Sequence, residues 1–150
     1  VLDGIYQHSQ DFAVSRMYPG IPEYVGPTGR GLYPYLTGSA SWYLLTMLTQ
    51  VFGIKGSMGD LMLEPKLVRE QFSAGGRASA VTQFAGRRLR IAYQNPRRLD
   101  YGQYRIDQLR VDDQPAELRR RGNAVVLPRE RIAALPDGAV HRLVVTLAEA

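Results

Sequence analysis

The chain has 150 residues, with 19 Lys or Arg against 14 Asp or Glu for a formal charge of +5, and no cysteine. That length suits one core or a fraction of a larger protein, and the lack of cysteine excludes disulfides, thiolate catalysis and cysteine-ligated zinc, which fits a cytoplasmic parent. No apolar run approaches the roughly 20 residues that cross a bilayer as a helix, so no membrane partner is expected.

The chain opens on Val1 without a basic-then-apolar leader, and residues 3–20 read as polar and irregular, which predicts a piece cut from a longer polypeptide. Over residues 1–36, Gly20, Pro22, Gly26, Pro27, Gly29, Gly31 and Pro34 forbid a long helix and predict extended loops. From residue 38 to residue 52, Trp42, Leu45, Leu48 and Phe52 recur at about helical spacing. Tyr43, Leu44, Met47 and Val51 make the other faces apolar too. A helix apolar nearly all round needs neighbours on several sides, and Gly53 is the residue that stops it. Trp42, the single tryptophan, reads as core on such a helix, with sugar stacking as the competing role. Ahead of it, Thr37-Gly38-Ser39 puts two hydroxyls and an unhindered amide at the positive end of the helix dipole. Two roles fit: a cap worth about 1 kcal/mol, or a seat for phosphate or sulfate.

From Ile54 the period shortens to alternation. Strands are expected at residues 60–64, 78–84, 87–94, 104–111, 124–127 and 142–147, with a short helical turn within 129–135, giving a mainly antiparallel two-layer β-sandwich. Leu89, Ile91 and Tyr93 should face one side, and Arg88, Arg90 and Ala92 the other. Ile106 and Leu109 fall out of alternation, which predicts a bend or bulge. Up to Arg69, five basic residues balance five acidic ones, so the whole excess lies beyond it. Arg87-Arg88, Arg97-Arg98 and Arg119-Arg120-Arg121 carry much of that excess. They lack a nucleic-acid-binding motif and are interrupted by Asp100, Asp107, Asp112, Asp113 and Glu117, so they read as solvated edges and turns and no nucleic acid is expected.

The run Gly29-Arg30-Gly31-Leu32-Tyr33-Pro34-Tyr35-Leu36-Thr37-Gly38-Ser39-Ala40-Ser41-Trp42, then Val51-Phe52-Gly53-Ile54 and Gly59-Asp60-Leu61-Met62-Leu63-Glu64-Pro65, resembles the C-terminal portion of glycoside hydrolase family 94. The similarity continues through Phe84-Ala85-Gly86 and Tyr93-Gln94-Asn95-Pro96. It implies an α+β fragment, with the last helix and loops of an (α/α)6 barrel over residues 1–56 and a β-sandwich domain over 57–150. The implied activity is that of an inverting glycoside phosphorylase, which reversibly converts β-linked gluco-oligosaccharides to α-glucose 1-phosphate. The wording of residues 36–42 and of Ile21-Pro22-Glu23-Tyr24 is closest to the 1,2-β-oligoglucan branch. The family 94 region of a cyclic 1,2-β-glucan synthase, and a non-catalytic β-sandwich accessory or carbohydrate-binding module, stand as alternatives. Inorganic phosphate is the implied co-substrate, with no cofactor. The implied partners are the oligosaccharide, the missing N-terminal part of the polypeptide and, for the parent, a second copy in a homodimer.

In inverting phosphorolysis a carboxylic acid protonates the glycosidic oxygen while phosphate attacks the anomeric carbon from the opposite face. The Thr-Gly of the family's Leu-Thr-Gly motif contacts phosphate, which implies that role for Thr37 and Gly38. Arg30 and Ser39 stand beside them, Arg30 either meeting phosphate or forming a surface ion pair. Glu23 and Tyr24 lie where the family's loop approaches the sugar, with solvation and packing as the plainer roles. The family's catalytic acid is an aspartate upstream in the barrel, so no catalytic residue is expected here and Asp3, Asp11 and Asp60 are poor candidates. His8 reads as a loop residue. Of the alternating Tyr33 and Tyr35, one should pack inward and the other border the cleft. No nucleophile elbow is present and His8 with His141 lacks ligand spacing, so no metal site is expected.

Overall fold

The computed structural model describes residues 2–17, 21–33 and 38–150. The chain divides into two compact units, Val1–Met47 and Leu48–Ala150, and its class is α+β, with few short helices and mainly antiparallel sheets.

The first unit begins with α1 (Leu2–Gln10) and α2 (Phe12–Ser15). This corrects the expectation of irregular, extended sequence, because apart from Gly4 the glycines and prolines that disfavour helix begin only at Pro19. Asp11 starts α2 by accepting the Ala13 amide hydrogen bond at 2.9 Å, and Arg16 ends it in the left-handed region at φ 60°. A short hairpin follows, β1 (Tyr24–Val25) pairing antiparallel with β2 (Gly31–Leu32). Helix α3 (Gly38–Thr46) then runs into a π-helical turn at Met47–Val51. Trp42 is 68% exposed and Leu44 69%, so the expectation that Trp42 lies in a core is also corrected. An all-apolar helix buries only the faces for which neighbours exist, and among the described residues every member of the hydrophobic core lies at Ile54 or beyond. The helices of this unit form no barrel among the described residues.

The second unit holds that core between two sheets. One is four-stranded, in the order β3 (Ile54–Ser57), β4 (Asp60–Leu63), β10 (Ala124–Leu127) and β9 (Arg119–Arg121). The other is five-stranded, in the order β5 (Arg77–Phe84), β6 (Arg87–Gln94), β11 (Val140–Glu149), β7 (Tyr104–Val111) and β8 (Gln114–Pro115). Alternation decides the faces: Leu89, Ile91 and Tyr93 of β6 are fully buried while Arg88 and Arg90 are exposed. Leu61 and Leu63 of β4, Val125 and Leu127 of β10, and Leu143, Val145 and Leu147 of β11 join the same cluster. Each such leucine, isoleucine or valine contributes about 1.5–3 kcal/mol relative to leaving it exposed. Ile132, on α4 (Arg129–Ala133), closes one side of it.

Two details depart from simple alternation. Between β11 and β7 the register slips, with Thr146 opposite Gln108 but Leu147 opposite Ile106, which leaves Asp107 as the extra residue of a bulge and lets both Ile106 and Leu109 point inward. Strand β11 also runs parallel to β6 while remaining antiparallel to β7. The entry into the first sheet is fixed by Gly53 at φ +64°. A Cβ there would stand 1.8 Å from the Glu64 carbonyl oxygen, because the Gly53 carbonyl accepts the Glu64 amide at 2.9 Å and the Val51 carbonyl accepts that of Lys66 at 2.9 Å. Only glycine fits so close a backbone approach.

Candidate functional site

The hairpin β1–β2 gathers the candidate residues of the first unit. Tyr24 pairs with Leu32 and Val25 with Gly31. The connection turns on two backbone hydrogen bonds, Gly26 amide to Arg30 carbonyl at 2.8 Å and Gly29 amide to Gly26 carbonyl at 2.9 Å. This puts Glu23, Tyr24 and Arg30 on one small ribbon, all exposed. Tyr33 joins them, its ring edge-on to that of Tyr24 at 5.9 Å between centroids and 57% exposed. Such a pair leaves aromatic surface exposed on the ribbon that also carries Arg30, a combination suited to a sugar ring and an anionic group.

The ribbon is pinned from behind by His8, whose Nε2 donates to the Gly29 carbonyl at 2.6 Å. His8 therefore lies on α1 and holds the turn next to Arg30, which corrects its assignment to a loop. Gly29 must be glycine: its φ is +83° and a Cβ would meet Val14 at 2.8 Å and His8 at 2.9 Å. Helices α1 and α2 thus act as the base on which the hairpin is set. Their own joint is made by Ser15 Oγ, buried, donating to the Ser9 carbonyl at 3.2 Å.

Gly38 opens α3, exposed, and Trp42 one turn on lies beside it, 3.4 Å from where a Gly38 Cβ would stand to the indole Cδ1. The start of α3 therefore sets an exposed indole beside the glycine of its first turn. Thr37 and Tyr35 lie outside the described residues, as does the Ser39 side chain.

The second unit has a titratable cluster that sequence spacing did not reveal. His141 is buried, its Nδ1 2.6 Å from Asp112 Oδ2 and its Nε2 2.7 Å from the Pro136 carbonyl oxygen. Both ring nitrogens face acceptors, so the geometry calls for the doubly protonated imidazolium. The hydrogen bond to Asp112 is the foremost cause holding the His141 pKa above its ordinary value, with the Pro136 carbonyl adding to it and burial opposing. For Asp112, burial pushes upward, but the Arg142 amide and His141 outweigh it and leave the carboxyl below its ordinary range. Arg87 completes the arrangement through Asp137 at 2.7 Å and the Ala133 carbonyl at 2.8 Å. With both nitrogens engaged and the ring buried, His141 ties the segment after α4 to the sheet and has no free atom for a substrate. Asp112 lies in the turn after β7 and His141 on β11, so no local motif could have marked the pair.

A cleft of about 330 Å³ borders Lys66, Tyr101, Tyr104 and Arg105. Tyr104 does not offer its hydroxyl to it, since that group lies 2.9 Å from the Leu67 carbonyl, and burial pushes its pKa well up. Among the described residues no three His, Asp or Glu side chains group as metal ligands, and no helix is long and apolar enough to cross a membrane. Compared with known proteins, the chain matches no protein-family model and no curated sequence.

Proposed function

We propose that this chain is the C-terminal part of an inverting glycoside phosphorylase of the glycoside hydrolase family 94 type, acting on β-1,2-linked gluco-oligosaccharides in the cytoplasm. The observation that carries the proposal is the Leu36-Thr37-Gly38-Ser39-Ala40-Ser41-Trp42 run, whose Gly38 opens a helix with its indole neighbour exposed. In this scheme the Thr37 hydroxyl and the Gly38 amide donate to the attacking phosphate, with the helix dipole favouring its charge. Arg30 supplies a cation from the hairpin, Ser39 a second hydroxyl, and Glu23 and Tyr24 meet the sugar. The proton for the leaving oxygen comes from an aspartate elsewhere in the polypeptide. Residues 1–56 would then belong to the end of an (α/α)6 barrel, whose other helices would cover Trp42, Leu44 and Leu45, and residues 57–150 to a β-sandwich domain beside it.

A second reading, a non-catalytic β-sandwich module, is favoured for the second unit alone by the engagement of both His141 nitrogens. The test is an assay of the polypeptide that carries this chain together with its upstream sequence. Incubation with β-1,2-gluco-oligosaccharide and phosphate should release α-glucose 1-phosphate, and cello-oligosaccharide should be a poorer substrate. The isolated chain should release none. Phosphorolysis by the isolated chain, or none by the longer polypeptide on either substrate, would refute the proposal.

A further inference from the structure

The face of the five-stranded sheet turned away from the core carries three arginines, Arg88, Arg90 and Arg142, of which only Arg142 feels a nearby carboxylate, that of Asp112, among the described residues. Register places Arg90 of β6 directly beside Arg142 of β11, Arg88 beside Val140, and Val81 and Gln83 of β5 beside Arg90 and Arg88. All six are exposed. Like charges directly opposite each other on neighbouring strands destabilise a sheet, and these strands stand only about 4.8 Å apart. Among the described residues, the guanidinium groups of Arg88, Arg90 and Arg142 form no hydrogen bond or ion pair. Asp112, at the edge of this face, is already taken up by His141 and by the Arg142 backbone amide. Val81 and Val140, 45% and 44% exposed, flank the arginines.

We infer that this face binds an acidic polypeptide segment in extended conformation, with carboxylates on Arg88, Arg90 and Arg142 and aliphatic side chains on Val81 and Val140. Guanidinium groups take carboxylates in bidentate pairs, which would relieve the Arg90–Arg142 repulsion. An extended segment repeats its side chains on one face about every 6.6 Å, the same spacing that separates Arg88 from Arg90 along β6. Single-stranded nucleic acid fits worse, because binding it relies on aromatic side chains for base stacking and the residues of this face are aliphatic, amide and guanidinium. Nor does a helix or ribbon rise from the face to enter a duplex groove.

The test uses the full chain and a fluorescein-labelled peptide with Glu, Glu and Val at alternate positions separated by Ser, followed by anisotropy at low ionic strength. Binding should weaken about tenfold or more in Arg90→Glu/Arg142→Glu, and fade when Gln replaces Glu in the peptide. A charge-matched control on α4, Arg129→Glu/Arg131→Glu, should stay within about twofold of the parent. Circular dichroism checks folding, and Arg90→Gln/Arg142→Gln carries the test where the Glu pair does not fold. Absence of peptide binding, equal loss in the α4 control, or tighter binding of an oligothymidylate through the same arginines would overturn the inference.

Discussion

Replacing Asp112 with asparagine isolates the charge in the Asp112–His141 pair while leaving the backbone alone. Asp112 sits at φ 45°, a left-handed conformation that asparagine tolerates as well as aspartate. The amide oxygen can still accept the Arg142 N–H, now 2.7 Å from Oδ1, and the amide nitrogen can face Nδ1 of a neutral imidazole whose Nε2 donates to Pro136. What is lost is charge assistance, the difference between about 1.5–3 and about 0.5–1.5 kcal/mol for a hydrogen bond. Because the Asp112 side chain is 42% exposed, solvent screening holds the loss to about 1 kcal/mol. The sign with pH follows from the two shifts. His141, raised from 6.5, contributes fully below that value and loses its contribution as pH rises through the folded-state pKa. Asp112, lowered from 3.8, contributes above that value and loses it as pH falls through its own. Both act together between 3.8 and 6.5, with Arg87 opposing the imidazolium charge and itself held by Asp137. Urea unfolding followed by far-ultraviolet circular dichroism should show the gap between parent and Asp112→Asn near its full size at about pH 5.5 and narrowed or reversed at about pH 8.5. A gap absent at the lower pH would refute a protonated His141.

Gly53→Ala should cost about 3 kcal/mol or more in thermal stability, since the new Cβ meets the Glu64 backbone, whereas Gly59→Ala, at φ +93° in open space, should cost only about 1–2 kcal/mol; similar melting temperatures for the two would count against the close approach. In the longer polypeptide, Thr37→Val should raise the phosphate requirement, losing roughly 1.5–3 kcal/mol or about ten- to hundredfold in phosphate-dependent efficiency. If only the melting temperature falls, Thr37 is a helix cap. The isolated chain should self-associate through α3, whose Trp42, Leu44 and Leu45 are exposed, and Leu44→Glu should reduce this in light scattering; a clean monomer at high concentration in the parent chain would sink the idea.

Strand boundaries could be read to the residue at Arg87–Gln94, where the sequence alternates cleanly, and at Tyr104–Val111 and Ala124–Leu127, where flanking turn residues mark the ends. Leu89, Ile91 and Tyr93 leave no other period open. The helix from Gly38 was legible from its apolar spacing and from Gly53, but its passage into a π-helical turn was not. Strand β9 escaped notice because three consecutive arginines carry no alternation, and it forms at an edge where none needs burial. Helices α1 and α2 were missed because their polar sequence lacks an apolar stripe long enough to count. Of the candidate site, Glu23, Tyr24 and Arg30 fall on one hairpin because Gly29, at positive φ, lets the chain reverse there. The grip of His8 on Gly29 spans a distance in sequence that no local pattern encodes.

The central place of β11 bears on how the chain comes to be folded at all. Every other strand of its sheet precedes it in sequence, yet β6 and β7 pair only through it. During synthesis on the ribosome, the β5–β6 hairpin and the β7–β8 pair emerge as separate pieces, each with a raw edge of unsatisfied amides and carbonyls. Closure waits for the last strand and brings residues as distant as Leu89 and His141 into register in one event, a high contact order that slows folding. Until then those edges invite strand pairing between nascent chains, and chaperone capture would be most needed in the interval just before β11 is released.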